Sequence, residues 1–284
     1  MIMNAKEGFA LKLAPIAGAL GAEIHDVDLA RPLADDVVAG IRRALLDHLV
    51  VFFRDQQLSP AQLVAFGQRF GTLARYPFVE GRADFPEIIE VTKLPHERTN
   101  FGGVWHSDTT YLDEPPMGSM LFALEVPAVG GDTLFANMFM AYDRLSAGMQ
   151  RLLGDLRVVN SSAKADVTRT REDRIATNPG KDARRVFEST HPVVRTHPES
   201  GRKGLYVNFA HSVRFEGMTE EESAPLLEFL FRHQVQPEFT CRFRWAPGSV
   251  AFWDNRSTQH NPINDYHGHL RRMLRITIAG DRPR

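Results

Sequence analysis

Cysteine is nearly missing from this chain: Cys241 is the only one in 284 residues. A single thiol excludes an internal disulfide, a Cys-x-x-Cys redox pair and a cysteine-rich zinc site. It also points to an intracellular, cytoplasmic protein. Long apolar runs are missing too. No stretch approaches the roughly 20 apolar residues of a membrane span. Lys6, Glu7 and Lys12 interrupt the apolar start, so no signal peptide is expected. Net charge is close to absent: 34 basic against 35 acidic residues give −1, which leaves no overall footprint for nucleic acid or an anionic membrane. There is no internal repeat or low-complexity linker, so one domain over 1–284 is expected. Histidine, by contrast, is plentiful. Eleven imidazoles beside one thiol make histidine and carboxylate the expected ligands of any metal.

Short strands dominate the expected elements. LKLAPIAGALGAEI (11–24) reads as strand and turn, and VVFFRDQ (50–56) as a buried strand. Further strands are expected at 86–93, 118–127, 131–137, 202–208, 238–245, 248–255 and 271–280, where apolar residues run or alternate between Gly and Pro. Apolar spacing predicts helices at 34–50, 59–71, 139–154 and 219–234. Ser59 and Pro60 mark the start of the second, Gly71 its end, and Thr219 with Glu222 forms a capping box on the last. Polar 160–190 reads as a mobile loop. The expected class is mainly β with peripheral helices, a double-stranded β-helix or jelly roll.

Chemistry gathers at a few places. In Trp105-His106-Ser107-Asp108, the imidazole and carboxylate are two residues apart, so on a strand they share a face. By itself such a pair is more often a hydrogen-bonded pair than a ligand pair. His260, in FWDNRSTQH (252–260), supplies a third donor. Two histidines and one carboxylate on one face of a metal leave three positions open, as in non-haem Fe(II) oxygenases. Arg271 and Arg275 share a face of the last strand and call for anionic partners, since Arg grips carboxylates as a fork. Gly130-Gly131-Asp132-Thr133 is a turn that brings a hydroxyl to the start of a strand.

In this order the residues resemble the Fe(II)/2-oxoglutarate-dependent taurine dioxygenase family, which includes the chlorophenoxyacetate dioxygenases. The matching stretches are VVFFRDQQLSPAQLVAFGQRFG (50–71), WHSDTTYLDEPPMGSML (105–121), GGDTLFAN (130–137), HPVVRTHPESGRKGLYVN (191–208), FWDNRSTQH (252–260) and RRMLRITIAGDRP (271–283). The resemblance implies that His106, Asp108 and His260 hold Fe(II). It implies that Arg271 and Thr133 bind the distal carboxylate of 2-oxoglutarate, and that Arg275 binds the acidic group of the primary substrate. Trp253, taken to share a strand with His260, would wall the iron pocket. O2 would be the second co-substrate, succinate and CO2 the co-products, and a homo-oligomer (dimer or tetramer) the expected assembly.

The chain departs from the taurine-type pattern around the substrate. Tyr76 stands where those enzymes place a histidine, Val79 where they place a tyrosine, and His211 where they place an aromatic wall. Within Asn100-Phe101-Gly102-Gly103-Val104, Gly102 aligns with their asparagine. Asn100, Gly102, Tyr76 and His211 are therefore candidate substrate contacts beside Arg275, and the grip on an amine is absent. The expected reaction is hydroxylation, with or without cleavage of a carbon–heteroatom bond, of a small organic acid such as a sulfonate, alkyl sulfate or aryloxyalkanoate. Desaturation or cyclisation on the same fold and a non-catalytic acid-binding barrel stay open. Asp108 argues against halogenation, which needs a non-carboxylate there.

Overall fold

The computed structural model describes residues 11–164, 175–176 and 178–284. Its strands are β1 (Lys12–Pro15), β2 (Ala22–His25), β3 (Val50–Phe53), β4 (Leu73–Ala74), β5 (Ile89–Lys93), β6 (Gly118–Glu125), β7 (Thr133–Asn137) and β8 (Arg157–Ser161). They continue with β9 (Glu188–Pro192), β10 (Val194–Thr196), β11 (Lys203–Leu205), β12 (Ser212–Phe215), β13 (Thr240–Phe243), β14 (Val250–Asp254), β15 (Thr258–Pro262) and β16 (Arg271–Ile278). The helices are α1 (Asp35–His48), α2 (Pro60–Gln68), α3 (Met138–Asp143), α4 (Ala147–Gly154) and α5 (Glu220–His233).

The larger sheet runs β1-β2-β3-β14-β6-β16-β4, with β5 pairing β16. A three-stranded sheet, β13-β7-β15, shares its interior, and β12-β8-β9 and β10-β11 form two further small sheets. Alternation decides which way each residue looks. On β14, Val250 and Phe252 join an outer apolar cluster with Ile41 and Leu45 of α1 and Leu63 and Phe66 of α2, while Ala251 and Trp253 join an inner cluster. The inner cluster also takes Phe52 of β3, Leu121 of β6, Met273 of β16, Phe135 of β7 and Phe243 of β13. Two sheets thus close over one interior, a double-stranded β-helix with helices outside, as the strand pattern predicts. β16 keeps the expected parity: Met273 faces in and Leu274 faces out, so Arg271 and Arg275 look into the barrel.

Several local expectations are corrected. Helix α2 stops at Gln68, with Arg69 as its C-cap, before Gly71; Ser59 does cap it, with Gln62 completing a capping box. The single helix expected at 139–154 is two, α3 and α4, and α4 starts afresh on the Ser146 cap. Residues 258–262 form a strand of their own, so Trp253 and His260 lie on neighbouring segments rather than one strand. The expected loop at 160–190 is bounded by β8 and β9, which reach into it, and its residues 165–174 and 177 lie outside the described residues. The capping box on α5 forms as expected. Among the described residues, no helix is long and apolar enough to cross a membrane.

Candidate active site

His260 sits mid-strand on β15, paired with inward-facing Phe135 of β7. His106 forms a lone bridge to it: His106 N–H donates to the His260 carbonyl at 3.0 Å and His260 N–H to the His106 carbonyl at 2.8 Å. The chain then turns sharply, with Thr109 at φ 44°, so Asp108 lies on a turn and not on the regular strand its spacing suggests. The Ser107 hydroxyl anchors the turn on the Thr258 carbonyl at 2.6 Å. One ligand atom from each of His106, Asp108 and His260 falls within 4.8 Å of the others, a set that could hold a metal ion.

The local bonds prepare these groups for a cation. His106 Nδ1 lies 2.7 Å from the Val104 carbonyl, so Nδ1 carries the proton and Nε2 keeps its lone pair. That Nε2 is 3.6 Å from Asp108 Oδ1. Burial alone would raise the Asp108 carboxyl, but the His106 contact, the Arg275 guanidinium and the His260 ring outweigh it and hold it well below the usual carboxylate range. Burial, with His106 and Arg275 adding to it, pushes His260 down to about 3, against the pull of Asp108. Both side chains are thus in the deprotonated forms that metals require.

Two cavities meet at the triad. The first runs from His106 and His260 to Thr133, Trp245 and Arg271. Arg271 is 4% exposed, and its Nε and Nη2 have no hydrogen-bond partner. Thr133 Oγ1 accepts from Trp245 Nε1 at 3.0 Å, which leaves its own proton to donate. The second cavity touches Asp108 and is lined by Tyr76, Tyr111 and His211. Arg275 borders both. Its Nη1 lies 3.7 Å from Asp108 Oδ1, and its Cζ sits 4.9 Å from the centre of the Tyr76 ring and 5.7 Å from that of Phe101.

Buried donors lacking partners at Arg271 and Arg275, and a buried His260 Nδ1 in the same condition, suit a metal with an anionic chelator. The donor set of two imidazoles and a carboxylate fits Fe(II), and the Arg271–Thr133 end fits a distal carboxylate.

The remaining candidates are placed as follows. Gly102 borders both cavities at φ +70°, where a Cβ would lie 3.1 Å from His106 Cε1. His211 Nδ1 is 3.0 Å from the Thr110 hydroxyl, which also accepts from Asn208 Nδ2 at 3.0 Å. Asn100, expected at the substrate, instead braces a loop: it donates to the Pro262 and Ile263 carbonyls and accepts from Tyr266. Trp253 does flank the site, its ring 4.8 Å from that of His260. Sequence reasoning passed over Ser119, Asn255 and Trp245. Ser119 had a readable signal, a hydroxyl at an inward position of an otherwise apolar strand.

The comparisons agree with this geometry. The family model described as "Taurine catabolism dioxygenase TauD, TfdA family" matches residues 12–277. An alkylsulfatase of Acinetobacter baylyi is 35% identical, covering 95% of this chain and 86% of that protein. An alpha-ketoglutarate-dependent sulfate ester dioxygenase of Pseudomonas putida is 34% identical, over 99% of this chain and 94% of its own length. The crystal structure of a taurine dioxygenase from Burkholderia xenovorans superposes with a TM-score of 0.82 at 36% identity, covering 96% and 92% of the two chains. The chain belongs to the TauD/TfdA family and is an Fe(II)- and 2-oxoglutarate-dependent dioxygenase.

Proposed function

We propose that the chain oxidises a small organic sulfate ester at the carbon bearing the ester oxygen. The observation that carries this reading is Arg275: a residue 8% exposed, bordering the cavity beside Asp108, with an unpartnered Nε. A buried cation there favours a substrate with an anionic head and holds the adjacent carbon close to the metal position. The absence of a taurine-type histidine and tyrosine at Tyr76 and Val79 argues for an anion without an amine. The names of the two sulfate-ester-related relatives support the same choice.

His106, Asp108 and His260 would hold Fe(II). Arg271 and Thr133 would bind the distal carboxylate of 2-oxoglutarate, the one as a fork and the other through its free hydroxyl proton. When bound, the iron couples oxidative decarboxylation of 2-oxoglutarate to hydroxylation of a C–H bond. Tyr76 and Phe101 hold the Arg275 plane, Gly102 leaves room above His106, and His211 with Tyr111 walls the substrate cavity. A sulfate ester hydroxylated at that carbon collapses to an aldehyde and inorganic sulfate, with the new hydroxyl proton leaving on the sulfate.

Calorimetric titration tests the assignment of the two arginines. Arg275→Gln should weaken binding of an alkyl sulfate by about 10–150-fold, the worth of a charge-assisted hydrogen bond, and leave 2-oxoglutarate binding nearly unchanged. Arg271→Gln should do the reverse. Equal losses of both ligands in both variants would contradict the assignment.

A further inference from the structure

Asp108 is held by more than its backbone turn. Its Oδ2 accepts from Ser119 Oγ at 2.6 Å, and Asn255 Nδ2 lies 3.5 Å from the same oxygen. Asn255 Nδ2 also donates to Ser119 Oγ at 3.0 Å. At its other end, the Asn255 amide oxygen accepts from Trp253 Nε1 at 2.9 Å and from the Asp108 N–H at 3.3 Å. Two obligate donors at one end identify that end as oxygen, and the remaining directions follow. Since Asn255 donates to the Ser119 hydroxyl, the serine's own proton goes to the carboxylate. The four side chains are buried, Ser119 completely. Ser119 and Trp253 face each other across the β6–β14 ladder, and the Asn255 N–H donates to the Met117 carbonyl at 2.9 Å. Ser119 is thus mounted on β6, and Asn255 directly follows the end of β14, both central strands of the larger sheet. Oδ1, by contrast, is turned toward His106 Nε2 and Arg275 Nη1, at 3.6 and 3.7 Å.

Resting on the metal-centre reading above, we propose that Ser119 and Asn255 are positioning residues that reserve Oδ2 for the protein, so that Asp108 presents a single oxygen to the metal. A carboxylate without this restraint is free to chelate through both oxygens and take a position that 2-oxoglutarate needs. The hydroxyl–carboxylate bond is short and charge-assisted, which suits it to hold one rotamer. Among the described residues, the hydrogen bonds given to Oδ2 come from Ser119 and Asn255, and the restraint is assigned to this cluster.

The test measures Mn(II) binding by the paramagnetic resonance of the free ion, then 2-oxoglutarate binding to the Mn(II)-loaded protein. The proteins are wild type, Ser119→Ala, Trp253→Phe, His106→Ala and, as a control for loss of a buried hydroxyl, Ser223→Ala in α5. Ser119→Ala should raise the Mn(II) dissociation constant about 10–100-fold, the range for outer partners of metal ligands, and weaken 2-oxoglutarate as well. Trp253→Phe removes the donor that orients Asn255 and should shift both constants the same way by less. Ser223→Ala should match wild type, and the metal-free Ser119→Ala protein should melt within a few degrees of it. Wild-type affinities in Ser119→Ala overturn the proposal. If that variant does not fold, wild-type affinities in Trp253→Phe overturn it. A wild-type protein that binds no Mn(II), or a His106→Ala protein that binds it equally well, defeats the metal-centre reading instead.

Discussion

Arg275 joins the two halves of the site. Its guanidinium meets the Asp108 carboxylate on one side and the rings of Tyr76 and Phe101 on the other. The two rings lie on the same side of the guanidinium and leave N–H groups for an anion. Replacing Tyr76 by Leu keeps the bulk but removes the ring. The loss of a cation–π contact worth about 0.5–2 kcal/mol should weaken an anionic substrate by roughly 2–30-fold, without changing 2-oxoglutarate affinity. Parallel titrations of the two ligands check this, and a 2-oxoglutarate effect as large as the substrate effect would contradict it. His106 and Asp108 belong to the same scale. Alanine at either should abolish succinate formation, because each removes a donor and leaves the other two on an incomplete face.

At the scale of elements, β16 and the β7–β15 pair do the positioning. Arg271 and Arg275 are four residues apart on one strand, so both point inward; Arg271 lines the first cavity and Arg275 borders both. A register shift against β6 between Arg272 and Met273 leaves that parity intact. Thr133 and Phe135 share the inward face of β7 with His260 opposite. This much was legible in the sequence, because strand alternation is local and apolar runs between Gly and Pro mark strand ends. The His106–Asp108 turn was not legible. Its geometry depends on a bridge to His260, 154 positions away, and on Asn255 and Thr258 from the segment before it. The split between α3 and α4 was missed for the opposite reason: apolar spacing continues through a break that only the Ser146 cap reveals. Helix α5 obeys purely local rules. Thr219 accepts from the Glu222 N–H, and the Glu222 carboxylate reaches back to the Thr219 N–H at 2.8 Å. Thr219→Ala should therefore cost about 1 kcal/mol, a melting temperature lower by about 2–4 °C, with the catalytic rate unchanged.

For the molecule as a whole, buried charge sets the response to acid. Burial pushes His191 down to about 4, and burial, with His106 and Arg275 adding to it against Asp108, pushes His260 to about 3. Both are neutral in the fold and take up a proton when unfolded, below about pH 6.5. Protons then favour the unfolded chain, so the metal-free protein should lose stability as pH falls from about 6.5 toward 4. Asp254 adds a second stage. Burial would raise its carboxyl, but Arg256 and His197 hold it far below the ordinary range. A depressed carboxylate stabilises the fold above its unfolded pKa of about 3.9 and loses that contribution as pH drops further. Thermal melts across pH 7.5 to 3.5 should show a gradual decline that steepens below about pH 4; a flat profile would contradict the burial of these groups. None of this was visible in composition, where the near-zero net charge conceals which charges are inside.

The proposed turnover of small sulfate esters depends on Arg275 reading their charge. Its most direct test is succinate release with Fe(II), 2-oxoglutarate and O2 in the presence of alkyl sulfates, sulfonates, aryloxyalkanoates, taurine and the uncharged alcohols of the same chain lengths. Alkyl sulfates should stimulate strongly, with equimolar sulfate and aldehyde, taurine little and the alcohols not at all, and Arg275→Gln should lose the stimulation. Stimulation by the alcohols equal to that by their sulfate esters, or full stimulation retained in Arg275→Gln, would contradict it.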